Sequence, residues 1–189
     1  MALVWKGEIL ECVYTAQRTA LNDYSLYDVE DRPISLISFT AKFAVWAAEH
    51  APLTGAVRDL KREAFPVLTV QGVSHIARKR LLTNHLLFND FDVWLEREGE
   101  STIAARMVAA RWINVISYQG MTYHLKRQSL FSFRFDLLRG DGSLAASFTE
   151  TTPFWRVSVC RNYSLLSSQP MDDTLLTFAF FLATTVFYG

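Results

Sequence analysis

The chain has 189 residues, half of them hydrophobic and 14% aromatic, with nineteen basic residues balanced by nineteen acidic ones. One domain with a sizeable core is the expectation for that length, and the apolar content excludes a disordered chain. A net charge of zero leaves no global attraction to nucleic acid or anionic lipid, so binding of that kind must come from a local patch.

The opening "MALVWKGEIL" has no basic region followed by a long apolar core, so it does not read as a secretory signal. Cys12 and Cys160 are too far apart for metal-ligand spacing and too few for a disulfide framework. They read as inert thiols of a reducing compartment. Both observations point to the cytoplasm. "YSLYDV" (24–29), "EDRP" and "ISLISFT" (34–40) read as strand, turn and strand. "AKFAVWAAEH" (41–50) fits helix or strand. In "TGAVRDLKREAFP" (54–66), Leu53, Val57, Leu60 and Ala64 recur at helical spacing, with Arg58, Asp59, Lys61, Arg62 and Glu63 opposite them. This predicts an amphipathic helix capped by Thr54, so a helical insertion is expected near 41–65. "VLTVQ" (67–71) reads as strand, and "SHIARKRLLTNHLLF" (74–88) is ambiguous.

From residue 91 onward the pattern is β. "FDVWLE" (91–96) and "TIAARM" (102–107) flank "REGES"; "RWINVISY" (111–118) and "TYHLKR" (122–127) flank Gln119-Gly120. "FSFRFDLL" (131–138) alternates, with Phe131, Phe133, Phe135 and Leu137 on one side and Ser132, Arg134 and Asp136 on the other. Asp141-Gly142 then signals a hairpin, and the return strand "LAASFT" (144–149) places Leu144, Ala146 and Phe148 together. "FWRVSV" (154–159) alternates again. Short strands with turns every eight to twelve residues predict a sandwich or barrel. "YDVEDRPISLISFT" echoes "FDLLRGDGSLAASFT", through duplication or through chance likeness of two hairpins.

The chain ends in its most apolar stretch. Thr174–Tyr188 carries no charge. Fifteen residues are short for a membrane span and long for one strand. Asp172 and Asp173 suit a helix N-terminus, with Pro170 just before them. A helix apolar on every side must be enclosed, and the axis of a closed β-barrel would enclose it. The expected fold is mainly β, a β-barrel or closed sandwich of short antiparallel strands. A buried hydrophobic C-terminal helix and one or two accessory helices complete a single domain over 1–189.

Two stretches, "FSFRFDLLRGDGSLAASFTE" (131–150) and "MDDTLLTFAFFLATTVFYG" (171–189), carry a family likeness. The first resembles the hairpin, and the second the threaded helix, of the tubby C-terminal-like group. That group comprises tubby domains, phospholipid scramblases and the plant LURP-one-related proteins. The resemblance covers 91–189. It implies a barrel of about twelve strands closed around a hydrophobic C-terminal helix; the predicted helix near 54–66 departs from that pattern. It also implies a binding or scaffold role, since some tubby-type domains hold phosphoinositide headgroups through Lys and Arg.

No catalytic, cofactor-binding or metal-ligating residue is assigned. The sequence has no phosphate-cradling glycine run and no Gly-x-Ser-x-Gly elbow. His50, His75, His85 and His124 sit in no zinc motif. The carboxylates Glu96, Glu98 and Glu100 fall in a turn, with no cleft to split their environments. The densest positive spot is Arg78, Lys79 and Arg80, near Arg58, Lys61 and Arg62 in sequence. These three are the candidate ligand-binding residues; the alternative is a sheet edge blunted by charge. The leading expectation is a non-enzymatic binding or scaffold module without a cofactor. Its target is an anionic phospholipid headgroup or a protein partner, with no nucleic acid and no transmembrane span. The location is cytoplasmic or peripheral to a membrane. The alternatives are a small enzyme whose groups converge only in three dimensions, and a membrane protein anchored by 174–188.

Overall fold

The structure, a computed structural model, describes residues 3–5, 8–18, 23–38, 66–84, 89–108, 113–128, 132–152, 161–167 and 169–188. The expected helices within 41–65 and the expected strand 154–159 lie outside the described residues.

Among the described residues, thirteen strands form one antiparallel sheet. They are β1 (Leu3–Trp5), β2 (Glu8–Arg18), β3 (Tyr24–Asp28), β4 (Pro33–Ser38), β5 (Val67–Val70), β6 (Val73–Asn84) and β7 (Asn89–Arg97). Then come β8 (Glu100–Val108), β9 (Ile113–Tyr118), β10 (Met121–Arg127), β11 (Arg134–Arg139), β12 (Leu144–Glu150) and β13 (Arg161–Ser167). From β2 to β13 each strand pairs with the next in sequence, and β13 returns to pair with β2. The result is a closed twelve-stranded barrel with no free edge among those strands. The short β1 lies on the N-terminal part of β2, pairing Leu3 with Leu10.

Consecutive meander strands alternate direction, so their connections alternate between the two barrel ends. One end carries tight turns. Gln119-Gly120 has positive φ at both positions, the geometry of a type I′ turn, whose twist matches that of the flanking strands. Gln71-Gly72 and Glu98-Gly99 repeat it. At Asp141-Gly142 the loop closes with Gly142 N–H on Arg139 O at 2.8 Å and Arg139 N–H on Ser143 O at 2.8 Å. The two echoing hairpins differ in one respect. Asp28 accepts the backbone N–H of Glu30 and Arg32 at its turn, whereas Asp136 sits within β11 and binds sideways to Gln128 and Ser147.

Alternation puts one face of each barrel strand inside. Phe133, Phe135 and Leu137 are buried as the pattern requires, although β11 begins only at Arg134. Leu144 departs from expectation. A bulge pairs Leu137 with Ala146 but Leu138 with Leu144, leaving Ala145 as the extra residue. An extra residue reverses the facing of its neighbours along the strand. Ala145 therefore joins the main core, while Leu144 packs with Leu166 and Leu138 in a separate small cluster.

The final segment is the helix α1 (Asp173–Tyr188), about 24 Å long at 1.5 Å per residue. Leu175 through Ala183 are all buried. Aromatic rings meet Phe180 from several strands: Tyr24 on β3 at 5.6 Å, Phe148 on β12 at 6.1 Å and Tyr163 on β13 at 5.3 Å, with Phe133 at 5.8 Å just before β11. Thr177 Oγ1 donates to Ser35 Oγ on β4 at 2.8 Å. The helix is thus enclosed by the barrel wall, which removes Leu175–Thr184 from any lipid. Among the described residues, no helix is long and apolar enough to cross a membrane.

Candidate functional site

The predicted basic residues fall on β6, at register positions facing β7. Arg78 pairs with Trp94, Lys79 with Val93 and Arg80 with Asp92. Successive strand residues alternate faces, so the three do not share one. Val93, opposite Lys79, belongs to the interior core. The Arg78 side chain forms an ion pair with Glu96, Nε to Oε2 at 2.6 Å. Arg58, Lys61 and Arg62 lie outside the described residues.

Beside this row the outer wall of β7–β9 is hollowed into a groove of about 500 Å³. Two ladder rows build it. Trp94, Ala104 and Ser117 are register neighbours across β7, β8 and β9; so are Asp92, Arg106 and Val115. Small side chains at Ala104, Ser101 and Ser117 leave the hollow, Trp94 supplies an aromatic wall, and Val115 is exposed. On β6 the register partners of Trp94 and Asp92 are Arg78 and Arg80. The basic run is visible in the sequence but the groove is not, because Trp94, Ala104 and Ser117 come together only through strand register.

A second feature occupies the barrel mouth at the tight-turn end. Asp172 caps α1. Its Oδ1 accepts the backbone N–H of Thr174 at 2.8 Å and of Leu175 at 3.2 Å, which satisfies two of the four orphan donors there. Asp173 accepts a hydrogen bond from Gln71 Nε2 at 2.7 Å. The Tyr118 hydroxyl is pushed up to about 12, first by burial and next by its bond to the Asp172 carboxylate. Tyr14 is raised by burial, while its hydroxyl donates to Met171 O at 3.4 Å. Two hollows flank the capped terminus and share Asp172. One, of about 300 Å³, includes Tyr118, Tyr123, Arg139 and Met171; the other, of about 230 Å³, includes Gln71, His75, Arg97, Asp173 and Thr174.

Asp136 is a polar residue of the outer face that is nonetheless buried, at 3% exposure. Gln128 Nε2 donates to it at 2.7 Å and Ser147 Oγ at 3.0 Å. Burial raises its carboxyl above 3.8 against the pull of Ser147, Arg134, Gln128 and Lys126. The folded chain then holds this proton to higher pH than the unfolded chain does. Stability therefore falls as pH rises from 3.8 through the folded value. Asp136→Asn should remove that fall, as read by urea denaturation across about pH 3 to 7. A variant keeping the wild-type slope would contradict the assignment.

Among the described residues, no three His, Cys, Asp or Glu side chains stand close enough to hold a metal ion. No family model, curated protein or solved structure matches the chain.

Proposed function

We propose that the chain is a non-enzymatic binding module of tubby-like type that recognises an anionic phospholipid headgroup on its outer wall. The observation that carries this reading is the filled interior. A hollow barrel can take a ligand along its axis, but here Leu175–Ala183 occupy that space, so a lipid headgroup has only the outer wall to bind. A twelve-stranded barrel closed around an apolar C-terminal helix is the architecture that the tubby resemblance implies. The β7–β9 groove, at about 500 Å³, is in the range of small-ligand sites. Arg106 lines it, and Arg78 and Arg80 hold the neighbouring register positions on β6. Guanidinium groups bind phosphate bidentately, and Trp94 suits the interface between headgroup and acyl chain. A headgroup would compete with Glu96 for Arg78, so a moderate affinity is expected, with the chain peripheral to a cytoplasmic membrane face.

Flotation of the full chain with phosphoinositide-containing and purely zwitterionic vesicles tests this. Binding should require the anionic lipid and weaken with salt. Near a membrane each basic residue contributes about 1 kcal/mol, so Arg78→Ala/Arg80→Ala should weaken binding roughly 30-fold. Flotation that ignores lipid charge, or survives this double substitution unchanged, would remove the reading.

A further inference from the structure

The smaller hollow at the barrel mouth gathers one buried unpartnered nitrogen and two half-exposed or exposed charged groups. His75 faces inward from β6, is 5% exposed, and has no hydrogen-bond partner at Nδ1. A buried polar group without a partner is uncommon and calls for an explanation. Its register neighbour across β5 is Leu68, which offers it no polar contact. Asp173 uses one carboxylate oxygen, Oδ2, for Gln71. Among the described residues its other oxygen has no hydrogen-bond partner, and neither does the exposed Arg97 guanidinium. All three residues line one hollow of about 230 Å³ with Thr174 and Asp172.

Several ligand classes are disfavoured by this lining. A metal ion lacks three donors within reach among the described residues. A simple anion would confront the Asp172 and Asp173 carboxylates, which already answer the positive end of the helix. A simple cation would leave Arg97 unanswered. The complement of an open carboxylate oxygen, an imidazole and a guanidinium gathered in one hollow is a molecule carrying both charges. We propose that the mouth cavity binds a small zwitterion of amino-acid size, its ammonium group at Asp173 and His75 and its carboxylate at Arg97. This site is separate from the outer groove and does not depend on the lipid reading.

The test uses the full chain and NMR of the His75 imidazole, its signals assigned through His75→Gln. Glycine and alanine serve as zwitterions, and methylammonium and acetate as their halves. Glycine should give a saturable shift. A charged hydrogen bond contributes about 1.5–3 kcal/mol, so either half should bind at least about tenfold more weakly. Arg97→Gln, a change at an exposed side chain, should reduce glycine binding to the methylammonium level. Asp173→Asn, which leaves the Asp172 cap in place, should weaken both glycine and methylammonium. A glycine response that never saturates, methylammonium binding as tight as glycine, or an Arg97→Gln variant that binds glycine normally would overturn the proposal.

Discussion

Removing residues 171–189 is expected to abolish folding. Six large side chains of α1 are buried: Leu175, Leu176, Phe178, Phe180, Phe181 and Leu182. At about 1.5–3 kcal/mol each they contribute roughly 9–18 kcal/mol, against about 5–15 kcal/mol for the net stability of a typical domain. The strands left behind would line an empty tube with Tyr24, Leu26, Ile37, Leu95 and Phe148 facing it. Empty space on that scale forfeits packing that a small closure of the wall cannot restore. Chain 1–170 should therefore show no cooperative thermal transition and little dispersion in its amide NMR spectrum. A well-dispersed spectrum with a sharp melt would mean that the barrel stands without its helix, and the structural role given to the segment would fail.

Phe180→Ala should be the most damaging single truncation. Phe180 is fully buried and touches rings from three strands and from the segment before β11. The edge-to-face geometry with Tyr24, Phe148 and Tyr163 adds to the area it buries. A Phe→Ala change in such a setting costs about 3–5 kcal/mol. Ala183 lies on the same helix, equally buried but with no ring, so Ala183→Gly serves as a milder comparison, at about 1 kcal/mol from helix propensity. Urea denaturation of the two variants should separate them by several-fold in lost stability. Equal losses would show that the cluster around Phe180 carries no special weight.

Parts of this architecture are visible in the sequence without coordinates. The turns at Glu98-Gly99 and Gln119-Gly120 declare themselves because positive φ at both positions narrows the choice of residue. The alternation of Phe133, Phe135 and Leu137 declares itself because a filled interior accepts large apolar side chains there. β6 does not, although it is a strand of 12 residues whose register with β7 slips between Leu81 and Thr83. Its inward positions include His75 and Ala77, which break the apolar rhythm, so the pairing with β5 and β7 decides its state rather than its own pattern. β1 and β2 escape notice for a related reason: Ala16 is a small inward residue, and β2 is fixed mainly by closing the barrel between β13 and β3. Alternation alone puts Leu144 on the wrong face because a one-residue bulge leaves no mark in the hydrophobic pattern.

The two candidate sites divide in the same way. Arg78, Lys79 and Arg80 are conspicuous as a run, yet the groove beside them depends on Trp94, Ala104 and Ser117 aligning across three strands. At the mouth, Gln71 and Asp173 are 102 positions apart, and no local spacing could join them. What the sequence alone determined was chemistry that acts over a few residues: turn geometry, period-two alternation, the acidic start of a helix and the need of an uncharged segment to be enclosed. Which strands enclose that segment, where the register slips, and which polar groups meet at the rim were decided by barrel closure. Closure is a long-range condition, satisfied by the whole ring of strand pairs at once and written in no single stretch of chain.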